Sequence, residues 1–165
     1  MASAPLSPEL FRRVMGNFVT GVTVVTVERE PGKVHGMTAN SFTSVSLDPL
    51  LVLVCVDQDA QLLSFLKMQR RFGVNILRSN QQAISEHFAK PLQSPEEEIQ
   101  LGVRFAWTDS GIPLLVGVLG QLGCTVAAQY MAGDHTIFIG EVESIHEGEG
   151  EPLVYHRRQY RELQC

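Results

Sequence analysis

Alternating apolar and polar positions predict a chain built mainly from β-strands. The β-branched segment GVTVVTV (21–27) predicts a strand, and Pro31 with Gly32 predicts the turn of a hairpin. The continuous apolar run LLVLVCV (50–56) predicts a fully buried strand. Four further strands are predicted over residues 71–77, 118–127, 135–145 and 152–156.

Short helices are predicted between these strands from their capping residues. The sequence SPE (7–9) is typical of a helix start, and residues 60–68 have a helical pattern. Asn80 is predicted to cap a helix that runs to residue 88, and SPEE (94–97) is a capping-box signature. Strands with a few peripheral helices favour a small β-barrel, in one domain spanning 1–165, over a doubly wound sheet.

The composition is that of an ordinary globular protein. With 165 residues, of which 44% are hydrophobic and 19% charged, the chain can build one domain with a substantial core. The net charge of −5 and the pI near 5.5 argue against a nucleic-acid-binding surface. The arginine pairs at 12–13, 70–71 and 157–158 are predicted to be solvated ends of elements rather than phosphate sites.

Cellular location is predicted from what the sequence lacks. The longest apolar run, 50–56, is far shorter than the roughly 20 residues of a membrane-spanning helix. The start of the chain, MASAPLSPELFRR, has no apolar segment typical of a secretory signal. Cys55, Cys124 and Cys165 are widely spaced and are predicted to be free thiols. We therefore expect a cytoplasmic protein without membrane contact.

Common cofactor and catalytic motifs are missing or degenerate. In GVLGQLG (117–123) the glycine spacing is GxxGxxG rather than GxGxxG, which favours close backbone packing or a bulge over a phosphate loop. The five histidines do not have the spacing of a metal motif, so no metal site is predicted. No GxSxG sequence supports a serine nucleophile.

Two features suggest a ligand site. The extended segment HGMTANSFTSVS (35–46) carries small hydroxyl and amide side chains where a core strand would carry Val, Ile or Leu. Buried without partners, each of these groups would cost about 1–3 kcal/mol, so water, a loop or a ligand must pair with them. His135 opens a strand directly after a turn at Gly133 and Asp134, and it is either a rim residue that faces a ligand or a half-exposed turn residue.

Several segments together carry a resemblance to a known family. In chain order they are LFRRVMGNFVTGVTVVTV, HGMTANSFTSVSLDPLLVLVCV, FGVNIL, HFA and AGDHTIFIGEV. Over about residues 10–160 the chain resembles the flavin reductase-like family of split-barrel flavoproteins. It is most similar to the small reductase components of two-component flavin monooxygenases, such as the phenol and 4-hydroxyphenylacetate hydroxylase systems. The resemblance implies a mainly β fold, the FMN-binding split barrel of Greek-key type with peripheral helices.

The resemblance implies that the polar segment lines a flavin. The implied flavin-binding residues there are Met37, Thr38, Ala39, Asn40, Ser41, Ser44, Val45 and Ser46. Of these, Asn40, Ser44, Val45 and Ser46 would pair with the carbonyl–amide edge of the isoalloxazine ring, which requires donors and acceptors at fixed spacing. A ligand of this kind would supply the partners that the polar side chains need.

The resemblance also assigns residues outside that segment. Val56 and Asp57 would approach the ring or the ribityl chain, and Phe88, Ala89 and Lys90 would lie near the flavin phosphate, where Lys90 could neutralise charge. Many relatives have a hydroxyl residue for the phosphate where this chain has Leu62, which is a departure from the family pattern. His135 and, with weaker support, Tyr155 would contact the nicotinamide dinucleotide.

The implied function is an NAD(P)H-dependent flavin reductase. Hydride would pass from the nicotinamide to FAD or FMN, so no residue is expected to act as an acid, base or nucleophile, and the protein would mainly orient the two rings. Free reduced flavin would diffuse to a separate monooxygenase component, and a homodimer is expected. The choices between FAD and FMN and between NADH and NADPH stay open. The alternatives are a flavin-binding or storage module without turnover and a pyridoxamine-phosphate-oxidase-like split-barrel oxidase.

Overall fold

The computed structural model describes residues 6–163, so the N-terminal five residues and the predicted free thiol at Cys165 lie outside the described residues. The helices are α1 (Pro8–Met15), α2 (Gln61–Gln69), α3 (Gln82–Phe88) and α4 (Pro95–Gln100). The strands are β1 (Thr20–Gly21), β2 (Thr23–Glu30), β3 (Lys33–Ala39), β4 (Phe42–Leu47), β5 (Leu50–Asp57), β6 (Arg71–Ile76), β7 (Phe105–Trp107), β8 (Pro113–Leu115), β9 (Gly120–Ala132), β10 (His135–Glu147), β11 (Val154–His156) and β12 (Gln159–Arg161).

The main sheet has seven antiparallel strands in the order β3-β2-β6-β9-β10-β5-β4. Three hairpins, β2–β3, β4–β5 and β9–β10, supply its local pairings. Pairings between distant segments, such as β2 with β6 and β5 with β10, join the hairpins into one sheet. The two edge strands, β3 and β4, are consecutive in the chain but lie at opposite ends of this order.

The sheet is curled into a barrel that is split between its edge strands. Val25 on β2 and Val54 on β5, from opposite sides of the strand order, are fully buried in one core cluster together with Phe72 and Phe138. Helix α2 contacts β2 and β3 on one side and β5 on the other, and it buries Leu66 in the same core. The prediction of a mainly β barrel with peripheral helices is therefore confirmed.

A smaller sheet, in the order β1-β11-β12, covers a second core cluster. The cluster includes Leu77, Leu115 and Phe88, each with at most 2% of its surface exposed. In this sheet Thr20 pairs with Tyr155, which brings the C-terminal part of the chain beside the residues that follow α1. The short pair β7–β8 completes the β structure of residues 6–163.

Some predicted elements differ from the observed ones. The prediction of a fully buried strand at 50–56 is wrong, because the side chains of β5 alternate: Val52, Val54 and Val56 are buried and those between them are partly exposed. Asn80 does not cap α3, which instead follows a 3-10 turn at Ser79–Gln81 and has no side-chain cap. Strand β9 runs to Ala132, and β7, β8 and β12 were not predicted, since three residues are too few for a detectable alternation.

The second half of the glycine-rich motif, from Gly120 onwards, lies in strand β9, in agreement with the prediction of close backbone packing or a bulge rather than a phosphate loop. Gly123 lies in β9, where an added Cβ would collide with the Ser144 hydroxyl, and the β9–β10 ladder shifts register between Val142 and Ser144. Cys55 and Cys124 are free thiols, as predicted, and burial raises the pKa of Cys124 to about 12. No helix within residues 6–163 has the length and apolar character to cross a membrane, and no cluster of three or more metal-ligating side chains occurs there.

Candidate functional site

The residues predicted to bind flavin and nicotinamide lie mostly along the split of the barrel. The polar segment begins on β3, crosses the split at Asn40 and Ser41, and continues along β4. The end of β5 lies beside the start of β10, so that Asp57 is paired with His135. Residues that are far apart in sequence are thereby brought to one region of the barrel surface.

Protein groups pair with part of the polar segment. The Thr38 hydroxyl donates to the backbone carbonyl of Ser85 at 2.6 Å, and the Ser41 hydroxyl donates to that of Cys55 at 2.8 Å. The Asn40 amide donates to the Thr20 hydroxyl at 3.3 Å. These bonds hold the crossing segment against α3, β5 and β1, so they fix its position at the split.

The hydroxyl groups on β4 are less fully paired. Ser44 is exposed, and its hydroxyl forms no hydrogen bond with the described residues, whereas the Ser46 hydroxyl accepts one from the Asp48 N–H at 3.2 Å. The ladder with β5 shifts register between Ser44 and Ser46, so Val45 is the extra residue of a β-bulge. Because β4 is an edge strand, its outer backbone N–H and C=O groups are also free for a ligand or a partner chain.

The ends of β5 and β10 differ in what they offer a ligand. Val56 is fully buried in the core, so only its backbone can contribute to a site. The Asp57 carboxylate accepts a hydrogen bond from the Asp59 N–H at 2.8 Å, which forms the turn that leads into α2. One oxygen of the Asp57 carboxylate is therefore already engaged in a structural hydrogen bond.

His135 lies at the rim, with about 40% of its side chain exposed. Its Nδ1 lies 2.7 Å from a carboxylate oxygen of Asp134, and this hydrogen bond lowers the pKa of Asp134. With Nδ1 held by the carboxylate, Nε2 is the ring nitrogen left to meet a ligand. The geometry thus gives the ring an orientation, which a free surface histidine would not have.

Beside β3 lies a groove of about 320 Å³, called the β3 groove below. Its walls are His35, Gly36, Met37, Thr38, Asp59, Ala60, Gln61, Leu62, Phe88, Ala89, Lys90, Pro91 and Gln93. Five of the predicted flavin residues line it, although the Phe88 ring is only 2% exposed because it packs against Gly36. The sequence prediction did not include Gln61 and Gln93, and no local pattern of the sequence distinguishes these two glutamines from other surface residues.

The charges of the β3 groove are partly balanced. Lys90 forms a 2.6 Å ion pair with Glu97. The hydrogen bond from Lys90 and, to a smaller extent, the one from His87 lower the pKa of Glu97. Leu62 is fully buried, so it offers no polar group here. Helix α2 has Ala60 at its N-cap without a side-chain cap, which leaves backbone N–H groups of its first turn for a bound anion.

A second groove lies between α1 and the turn joining β11 to β12. It consists of two neighbouring cavities of about 490 and 270 Å³ that share Arg12, Gly16, Arg157 and Arg158, and it is called the arginine groove below. Asn40 and Tyr155, predicted to bind flavin and nicotinamide respectively, both line the smaller cavity. The structure therefore brings these two residues together, although they are far apart in sequence.

Comparison with known proteins identifies relatives along most of the chain. Residues 15–164 match the model of the flavin reductase like domain. An NADH-dependent flavin reductase of a Rhodococcus species is 42% identical over 161 residues, which are 96% of this chain and 88% of that protein. The reductase component of 4-hydroxyphenylacetate 3-monooxygenase from Thermus thermophilus is 42% identical over 94% of this chain and 96% of its own. The structure of the NADH:FAD oxidoreductase SgcE6 of Streptomyces globisporus, in complex with NAD and FAD fragments, is 38% identical over 98% of both chains, with a TM-score of 0.86.

Proposed function

The chain belongs to the flavin reductase like domain family, and from that membership we propose how its own residues divide the work of reducing a flavin. The protein is an oxidoreductase that transfers hydride from NADH to a flavin and serves a separate monooxygenase component. The hydride carries two electrons, so NADH leaves as NAD⁺, and a proton from water completes the reduced flavin. The protein's contribution is to hold two rings face to face and to release them.

We propose that the isoalloxazine ring binds at the split of the barrel. One observation carries this proposal: residues implicated in flavin binding are spread over positions 37–90, yet they border the split and the β3 groove beside it. Asn40 and Ser46, with the free hydroxyl of Ser44, supply short polar groups for the ring edge. The bulge at Val45 exposes further backbone groups at the same place.

The flavin tail is assigned to the β3 groove. The uncapped first turn of α2 offers backbone N–H groups to a phosphate, and Lys90 lies on the same groove. The phosphate must share Lys90 with Glu97, and Leu62 provides no hydroxyl in place of the one found in many relatives. FAD is the preferred flavin in this proposal, because the relative SgcE6, which is 38% identical, is an NADH:FAD oxidoreductase.

The nicotinamide ring is assigned to the face bordered by His135 and Tyr155. His135 is oriented by Asp134 at 2.7 Å, and the Tyr155 ring is braced by Tyr160 with ring centroids 5.3 Å apart. Each of these side chains is held by a neighbour, so it can position a planar ligand without further loss of rotamer freedom. Neither residue needs to donate or accept a proton during hydride transfer.

We propose that the enzyme is a cytoplasmic homodimer, with the interface near the flavin. Apolar side chains on β4, the strand that borders the split, are exposed, namely Val45 (48%) and Leu47 (86%). An exposed apolar edge strand such as β4 is a liability for a monomer and is stabilised by a second copy of the chain. Reduced flavin would reach its monooxygenase by diffusion from this open site.

The experiment that tests the flavin assignment compares neighbouring hydroxyl deletions on β4. Ser44→Val and Ser46→Val each keep the β-propensity and remove a hydroxyl assigned to the ring edge, whereas Thr43→Val removes an exposed hydroxyl of the same strand that is not assigned to the flavin. Flavin affinity should fall by about fivefold in each serine variant, equivalent to about 1 kcal/mol per lost hydrogen bond, and stay constant in Thr43→Val. Unchanged flavin affinity in both folded serine variants would contradict the assignment.

A further inference from the structure

The arginine groove concentrates positive charge on a protein that is acidic overall. Its larger cavity is lined by four arginines, here called the arginine cluster: Arg12, Arg13, Arg157 and Arg158. Glu9 is the acidic residue in that lining, while the chain as a whole has a net charge of −5. Such a local excess of positive charge attracts an anion rather than a neutral ligand.

The guanidinium groups of this cluster are not used up by internal ion pairs. Within residues 6–163, none of the four lies within 4.0 Å of a carboxylate oxygen. The one hydrogen bond that a guanidinium group of the cluster makes in this range runs from Arg157 Nε to the side-chain amide oxygen Oδ1 of Asn17 at 2.9 Å. That bond leaves the other guanidinium nitrogens of Arg157 free and fixes the plane in which they lie.

The backbone holds the cluster in place. Arg157 and Arg158 form the two-residue turn between β11 and β12, with φ angles of 50° and 62°. Both residues have a left-handed backbone conformation, and two-residue turns of this kind prefer Asn and Gly at these positions. The Arg157 N–H donates to the Gly16 carbonyl at 2.9 Å, so the turn is tied to the end of α1. Two residues that are unfavourable in such a turn therefore stand at the place where Arg157 and Arg158 lie beside Arg12 and Arg13.

The cluster borders the residues assigned to the nicotinamide. Tyr155 lines the smaller cavity of the arginine groove, together with Arg12 and Arg157. Arg12 is also close enough to Asp134, the partner of His135, to contribute to lowering the pKa of that carboxyl group. Tyr155 therefore shares a cavity with the arginine cluster, and the charge of Arg12 reaches the residue that is bonded to His135.

We propose that the arginine cluster binds the diphosphate of the nicotinamide dinucleotide. This assignment rests on the function proposed above, and it adds residues for the diphosphate of NADH, to which the contacts of the nicotinamide ring assign none. Planar guanidinium groups bind phosphate oxygens in pairs, and two arginine pairs match the two phosphates of a diphosphate. The flavin phosphate is an unfavoured occupant, because the flavin tail has its own groove along β3 and α2.

The test uses a variant that removes charge while relieving backbone strain. Arg158→Gly deletes one guanidinium at a left-handed position where glycine is favoured, so the fold should be retained. Arg70→Gly is the control: Arg70 also has a left-handed backbone, with φ of 54°, but it lies at the end of α2, outside the groove, and its guanidinium donates to the Val126 carbonyl at 3.0 Å. Each protein is assayed with FAD and two hydride donors, NADH and reduced nicotinamide riboside, which lacks phosphate.

The proposal expects the KM for NADH to rise about tenfold in Arg158→Gly, with kcat and the FAD affinity unchanged. The kinetics with the riboside should not change, and Arg70→Gly should match the natural chain with both donors. Calorimetric titration with ADP-ribose should show the same tenfold loss of affinity in Arg158→Gly, together with a weaker salt dependence.

Two kinds of failure are distinguishable. If the natural chain reduces flavin with neither donor, the proposed function fails. If it does so with both donors and Arg158→Gly has an unaltered KM for NADH, or loses activity equally with the riboside, only the diphosphate site is overturned. A selective loss of FAD affinity in Arg158→Gly would overturn it too, because the cluster would then hold the flavin tail.

Discussion

Replacing His135 with alanine separates a positioning role from a structural one. The ring is about 40% exposed, and the one side-chain hydrogen bond that it makes within residues 6–163 reaches Asp134, which is 90% exposed. An ion pair so open to water contributes little to folding, so Tm should fall by no more than about 2 °C. If the ring orients the nicotinamide, its loss should lower kcat/KM for NADH about 10-fold or more, equivalent to about 1.4 kcal/mol of transition-state free energy.

The assay combines steady-state NADH kinetics with flavin titration on the same preparations. His146→Ala is the matched control, because His146 is an exposed histidine at the other end of β10. Asp134→Asn keeps the imidazole ring and removes the carboxylate that orients it, so its kcat/KM should lie between those of the natural chain and His135→Ala. Intact kcat/KM for NADH in folded His135→Ala would refute the assignment, and a parallel loss of flavin affinity would mean that His135 contacts the other ligand.

Three further predictions concern pH, packing and assembly. Burial lowers the pKa of His35 below 6.5, so the folded state favours the neutral ring. The stability of the fold should therefore be fully present above pH 6.5 and fall as the pH drops through the lowered pKa. Urea titrations should find a smaller loss of stability in His35→Gln. Gly140→Ala would place a methyl group 2.5 Å from the buried Phe72 ring, so thermal unfolding should show a loss of about 1–3 kcal/mol, and an unchanged Tm would contradict the packing. Leu47→Asp, at a residue that is 86% exposed on β4, should convert the proposed dimer to a monomer in sedimentation experiments, whereas a dimer of the same stability would place the interface elsewhere.

Local signals predicted two of the three hairpins, β2–β3 and β9–β10, and most helix starts. Ser7 accepts a hydrogen bond from the Leu10 N–H at 3.1 Å, and Ser94 accepts one from the Glu97 N–H at 3.3 Å, as their capping patterns indicated. The order of the strands was not predictable in the same way. The pairing of β5 with β10 depends on a core shared by segments about half the chain apart, and no local pattern encodes it.

The candidate site was predictable to the extent that it lies in one segment. The excess of hydroxyl groups at 35–46 identified a polar region before any fold was known, and the structure places this region at the split. The arginine groove could not be found from sequence. Its two arginine pairs, each expected to be a solvated end of an element, meet because Arg157 bonds to Asn17 across 140 residues of chain.

Catalytic reduction of free flavin by NADH is tested by an anaerobic experiment that follows the absorbance of NADH and of flavin together. The purified chain is mixed with excess NADH and with FAD, FMN or no flavin. We expect that NADH is oxidised only when flavin is present, that one flavin is reduced for each NADH consumed, and that flavin in large excess over protein is reduced completely. Oxidation of NADH without flavin, or reduction that stops after a single equivalent of tightly held flavin, would contradict this expectation.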